Sequence, residues 1–201
     1  MRKPRRTNSM GETINGFVEV RDMRPETLKK HKPCWRPIIC AGDFLGRNYN
    51  LFGVLAGVRW YNPNWDWEPI AMERGVPEDL SSQVTSKIME FNPETGETEL
   101  DPNHYGHTWM TLPQIDAFDW DMKIMDVKWK ECTDEEVEDA KAKLELWKEG
   151  KIKEKPENPF IEEFEISLYD FCDSFKTVRR LMEELVDIYG DSNVRLVIWF
   201  D

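Results

Sequence analysis

Three short stretches of this 201-residue chain gather residue types that can do chemistry. In the first, Gly46 precedes Arg47-Asn48-Tyr49 at the start of an apolar-periodic segment. Free N–H groups at a helix start favour anions. A guanidinium at Arg47 can grip a phosphate or carboxylate through two parallel hydrogen bonds, and Tyr49 can stack on a base. Arg59 falls on the same stripe, because Tyr49, Phe52, Ala56 and Arg59 recur at helical spacing. The alternative is a capped helix whose arginines pair with the chain's own carboxylates.

The second stretch is Trp60-Tyr61-Asn62-Pro63-Asn64-Trp65-Asp66-Trp67, followed at a short distance by Arg74-Gly75-Val76-Pro77. Aromatic planes at Trp60 and Trp65 with the Asn62 amide between them suit a flat heteroaromatic ligand. The same loop could instead fold back as a lid on the core. The third stretch holds Asp101, His104, His107, Thr108 and Trp109. Two histidines three apart can share a metal on a helix, but Pro102, Asn103 and Gly106 point to a loop, and no third ligand stands at a standard spacing. A two-histidine phosphoesterase needs two His-x-Thr/Ser motifs, and this chain has none. Asp121-Met122-Lys123, twenty residues after Asp101, loosely matches the acid-x-lysine strand of Mg²⁺ nucleases. No Gly-x-Ser-x-Gly, Walker loop or Gly-x-Gly-x-x-Gly is present, which lowers acyl transfer, NTP hydrolysis and dinucleotide chemistry. No catalytic set, metal site or cofactor is therefore assigned.

Composition narrows the partners. The net charge is −12, and the body is more acidic still because Arg2, Lys3, Arg5 and Arg6 sit in the first six residues. Such a body repels a phosphate backbone, so an extended duplex is not an expected partner. The longest apolar run, Leu51 to Val58, is far below the ~20 residues of a bilayer span, and the start lacks the apolar core of a signal peptide. Cys34, Cys40, Cys132 and Cys172 show no CxxC spacing. Reduced thiols and a cytoplasmic location are expected, and self-association stays open.

The elements that would position these residues follow from periodicity. Residues 1–15 read as a basic, polar tail, and 16–201 as one domain with a charged helical insertion at about 131–160. Phe17 to Arg21 alternates like a half-buried strand. Trp35 to Cys40 contains Pro37 and suits a sheet edge. Helices are expected over 47–59, 77–91, from Thr111, over 133–149 and over 169–189. Thr111 with Gln114, and Thr133 with Glu136, have capping-box spacing. Residues 122–130 alternate like a strand, and the near-continuous apolar run 194–200 predicts a strand covered on both faces. Interleaved helices and strands give an α/β or α+β class, drawn as a single mixed sheet with helices packed on it.

Several motifs resemble a family of uncharacterised proteins of bacteriophages and prophages. They are Arg47-Asn48-Tyr49-Asn50-Leu51-Phe52, Leu55-Ala56-Gly57-Val58-Arg59, Arg74-Gly75-Val76-Pro77-Glu78-Asp79, His107 to Leu112, and the ending Val194 to Asp201. The resemblance runs over about 43–120 and the C-terminal helix and strand, and omits the tail and 131–160. Tyr105-Gly106 stands where the family carries a histidine-rich stretch, which weakens a metal role there. The resemblance implies a host-cytoplasmic accessory protein that acts by binding. Arginines for phosphates and aromatics for a base make the expected partner a nucleotide-like small molecule, with sequestration of a host immune signal as the role. The expected ligand set is Arg47, Asn48, Tyr49, Arg59, Trp60, Asn62, Trp65, Arg74, His107 and Trp109. The alternatives are a metal-dependent phosphodiesterase or nuclease using Asp101, Asp121 and Lys123 or the His104/His107 pair, and a protein-interaction inhibitor presenting the acidic helix 133–149.

Overall fold

A computed structural model describes residues 13–58 and 67–201. In chain order the elements are β1 (Ile14–Arg21), α1 (Pro25–Leu28), β2 (Trp35–Cys40), α2 (Gly42–Leu45), α3 (Tyr49–Ala56), α4 (Ser82–Ile88), β3 (Met89–Asn92), β4 (Glu97–Leu100), β5 (Tyr105–Met110) and α5 (Leu112–Asp116). There follow β6 (Lys123–Trp129), α6 (Asp134–Lys148), β7 (Ile161–Ser167), α7 (Leu168–Phe171), α8 (Phe175–Tyr189) and β8 (Val194–Phe200). Residues 120–170 form one compact unit, and the remainder forms another. The expected insertion 131–160 lies inside the 120–170 unit.

The larger unit is built on a four-stranded sheet in the order β2-β1-β8-β5. The class is α+β. In place of a single mixed sheet, the described strands form three antiparallel sheets: this one and the pairs β3–β4 and β6–β7. β8 is central and buried along its whole length. One face of the sheet carries Ile14, Val18, Leu196, Ile198 and Phe200, all fully buried. The Phe52 ring of α3 lies 4.5 Å from Phe200 on this face. Each such side chain withdrawn from water contributes roughly 1.5–3 kcal/mol. The opposite face carries Phe17, Val197 and Trp199, covered by Val84 and Ile88 of α4. β2 takes the edge, where the missing N–H of Pro37 costs no ladder bond. The β1–β2 register shifts at this point, between Val18 and Glu19.

Several helices are shorter than their periodicity predicts. α3 ends at Ala56 because Gly57 turns left-handed at φ +69 and its N–H returns to the Gly53 carbonyl. Arg59, expected on this stripe, lies outside the described residues. The segment 77–91 keeps helix only over α4, and its end runs into the β3–β4 hairpin. The helix expected over 169–189 is two, α7 and α8, separated by a turn closed by Phe175 N–H donating to Cys172 O. Both capping boxes form, Thr111 with Gln114 and Thr133 with Glu136. β5 and β7 are strands that periodicity missed. β5 would be an open sheet edge, but residues 71–75 run beside it. Gly75 N–H donates to His107 O at 2.9 Å, and Thr108 Oγ1 donates to Ala71 O and Met72 O.

In the 120–170 unit, β6 and β7 pair antiparallel from Lys123↔Ser167 to Trp129↔Ile161. Backbone bonds from Lys130 to Phe160 and from Leu168 to Met122 extend the ladder at both ends. α6 connects the strands and buries none of its residues. Among the described residues, no helix is long and apolar enough to cross a membrane.

Candidate functional site

The antiparallel registers gather distant residues at one end of the four-stranded sheet. Arg21 pairs with Trp35, and Glu19 pairs with Arg195. Paired residues share a face, so these four side chains stand together. Trp109 reaches the same face opposite Val197. Between them lies a groove of about 470 Å³ lined by Arg21, Trp35, Asp79, Trp109, Thr111 and Arg195, with Pro77, Glu78 and Ser192 at its margin. Its size is within the range of small-molecule sites.

Arg195 organises the floor. It is buried, with its Nη2 2.7 Å from Glu19 Oε2 and its Nη1 2.6 Å from Asp79 Oδ1. Its Nη2 also donates to the Asp79 carbonyl. The guanidinium stacks 3.9 Å from the Trp35 ring centre. The Trp35 indole N–H donates to Asp79 Oδ2 at 2.6 Å. Glu19 Oε1 accepts from the Ser81 N–H at the start of α4. Burial raises the Asp79 carboxyl, but hydrogen bonds from Arg195 and Trp35 and the adjacent positive charge outweigh it. Its pKa stays below the usual carboxylate value.

Arg21 differs from Arg195. Its Nε donates to Asn193 Oδ1 at 3.2 Å and its Nη2 to Ser192 O at 3.5 Å, both neutral acceptors. Its guanidinium lies 5.0 Å from the Trp35 ring centre. Among the described residues it has no carboxylate partner. The groove thus holds one arginine paired with carboxylates and one held by neutral acceptors.

Of the residues expected from sequence, the structure joins Arg74 to Trp109. The Arg74 guanidinium stacks 4.0 Å from the Trp109 ring centre, donates to the Trp109 carbonyl, and reaches Gln114 Oε1 at 3.3 Å. Burial lowers its pKa. His107 is buried on β5, the strand that carries Trp109, but does not line the groove. Burial pushes its pKa below the ordinary imidazole value, helped by His104 and opposed by Glu73. Among the described residues, His107 Nε2 and His104 Nδ1 have no hydrogen-bond partner.

Arg47 does not join this group. Asn48 caps α3 by accepting from Leu51 N–H at 3.1 Å, and its amide donates to Ser174 Oγ at 3.2 Å. α3 packs through Phe52 on the Phe200 face, opposite to that of Trp109. Arg47 is exposed at its start, so Arg47 and Arg74 do not converge. Arg59, Trp60, Asn62 and Trp65 lie outside the described residues, as does the Tyr49 side chain.

Sequence reasoning missed Arg21, Trp35, Asp79, Glu19 and Arg195. A signal was available: Arg195 is the single charge inside the apolar strand β8 and Glu19 stands between two valines in β1, and buried charges require partners. Among the described residues, no three His, Cys, Asp or Glu side chains converge as a metal would require. Asp101 instead accepts from the Asn103 backbone and amide at 2.8 and 2.7 Å. A second cleft, about 330 Å³, lies between Val137, Ala140 and Leu144 of α6 and Pro156, Pro159 and Phe160. It is mainly apolar and lacks the paired cations and indoles of the first. No family model, curated protein or solved structure matches this chain.

Proposed function

We propose that this chain binds a nucleotide-like small molecule in the groove between Trp35 and Trp109, without transforming it. The observation that carries the reading is Arg21, a guanidinium held in an indole-lined groove by neutral acceptors alone. A phosphate can bind it through charge-assisted hydrogen bonds. Indole surface offers stacking for a base. Asp79 and Glu78 disfavour a purely anionic ligand, but they accept from the exocyclic amino groups that nucleobases carry. A ligand with both an anion and amino donors therefore fits the groove better than phosphate alone.

The resemblance to bacteriophage and prophage proteins supports placing such a binder among accessory proteins. There it would sequester a nucleotide-derived signal of the host. The test is a thermal-shift panel of cyclic dinucleotides, ADP-ribose derivatives and mononucleotides against the full chain. A ligand at a hundred times its Kd stabilises the native state by about 2.7 kcal/mol. Arg21→Ala and Trp109→Ala should each reduce that shift. A panel with no shift, or a shift that survives both substitutions, would remove the reading.

A further inference from the structure

The β6–β7 pair carries a feature that ligand binding in the other unit does not use. Met125, Val127 and Trp129 alternate along β6 and share one face, and they are 56, 52 and 80% exposed. Three large apolar side chains in a row on solvated strand surface are unusual, because such patches ordinarily mark contacts. The other face differs in kind. There Ile124 is buried, and Lys128 pairs with Glu162 at 3.4 Å. Opposite Val127 and Met125 on β7 stand Glu163 and Glu165, both exposed. The apolar row thus lies beside an acidic row on the same surface. Neither glutamate has a cationic partner among the described residues.

We propose that this face is a docking surface for a cationic amphipathic segment of another protein. Apolar side chains of the segment would cover Met125, Val127 and Trp129, with the indole of Trp129 as the anchor, since exposed Trp is enriched among residues that dominate binding. Lys or Arg beside them would meet Glu163 and Glu165. Charge complementarity selects this occupant. Residues 120–170 contain sixteen Asp and Glu against nine Lys and no Arg. A second copy would bring the same acidic surface against itself, and like charges across an interface are unfavourable.

The experiment uses the full chain and a fluorescein-labelled peptide with Leu and Lys at amphipathic spacing, followed by anisotropy. Two controls replace Lys by Glu, or Leu by Ser. The Leu/Lys peptide should bind and both controls should fail. Trp129→Ser should weaken binding about tenfold or more, and Glu163→Gln with Glu165→Gln should weaken it and flatten its dependence on salt. Val127→Lys gives a second variant that sets a like charge against the peptide. All these side chains are exposed, so circular dichroism and melting midpoint should stay as in the parent chain. Equal binding of the Lys/Ser peptide, or affinity unchanged in Trp129→Ser and Val127→Lys, would overturn the proposal. So would a dimer in sedimentation that Trp129→Ser dissolves, because the occupant would then be a second copy.

Discussion

Arg195 stands directly across from Glu19 on adjacent antiparallel strands, and the two side chains meet at 2.7 Å with 4 and 0% of their surface exposed. Desolvating two charges costs several kcal/mol each, and attraction and hydrogen bonding must offset that cost. Here the offset is extensive. Glu19 also accepts from Ser81, and Arg195 also reaches both the carboxylate and the carbonyl of Asp79. The pair therefore fixes the start of α4 and the Asp79 segment to the sheet, and so shapes the groove floor. Removing one partner leaves a buried charge alone. Arg195→Met or Glu19→Leu should each destabilise the chain, the former by about 3–5 kcal/mol. The double change Glu19→Leu with Arg195→Met should cost less than the sum of the separate changes. Urea midpoints of the four chains measure this coupling directly.

Arg21 and Arg47 separate two placements of a ligand. Arg47 is exposed, and among the described residues it pairs with no carboxylate. Arg47→Ala should change stability by no more than about 0.5 kcal/mol, as for other surface substitutions. With the groove as the site, it should also leave ligand affinity unchanged. Arg21→Ala should lower that affinity by about 1.5–3 kcal/mol, the contribution of a charged hydrogen bond. Titration calorimetry with the strongest ligand from the thermal panel compares the two. The reverse order would move the site to the start of α3.

What could be read in advance divides along a physical line. Local chemistry was legible. The capping pairs Thr111–Gln114 and Thr133–Glu136 involve residues three apart, and both form. Pro37 marked an edge strand, and the apolar run ending at Phe200 marked a buried one. The Arg74–Trp109 stack was anticipated only as membership of one set. The rest of the groove was not legible, because strand register brings Arg21, Trp35 and Arg195 together and Asp79 joins them from a distant turn by hydrogen bonds, and both are long-range properties. β5 escaped for a different reason. Gly106 and His107 look like loop residues, and in the sheet they fall where the β5–β8 register shifts.

That shift leads to a prediction at Gly106. Its φ is +61, a conformation that side chains rarely adopt. A Cβ there would run into the Phe200 ring and lie 2.9 Å from Val58 Cγ2. Phe200 is itself fully buried and packed against the tilted Phe52 ring, so it has little room to yield. Gly106→Ala should therefore destabilise the chain through both backbone strain and overpacking, the latter alone about 1–3 kcal/mol. Gly75→Ala is the control, since its φ is +78 but a Cβ there meets nothing within 4 Å. Melting midpoints should fall further for Gly106→Ala than for Gly75→Ala. Equal losses would mean that strain alone sets the requirement.

His107 supplies the pH dependence. Its pKa in the folded chain lies below the ordinary value of 6.5 because burial disfavours the imidazolium. Between the two values the unfolded chain binds more protons, so stability rises with pH across that window. His107 thus supports the fold fully above about pH 6.5, and its contribution is lost as pH falls toward the lowered value. The groups around it set the size of the effect: His104 deepens the shift, and Glu73 opposes it. A proton on Nε2 would sit on an atom with no acceptor among the described residues. The consequence should appear at the neighbouring edge, where Gly75 donates to the His107 carbonyl and Thr108 holds Ala71 and Met72. Melting midpoints measured from pH 7.5 to about pH 5 should fall in the parent chain and fall less in His107→Gln. Hydrogen exchange at the Gly75 amide should accelerate over the same window, after correction for the intrinsic pH dependence of exchange. Parallel pH profiles for parent and His107→Gln would show that another group titrates, and that the buried imidazole is not what links this edge to pH.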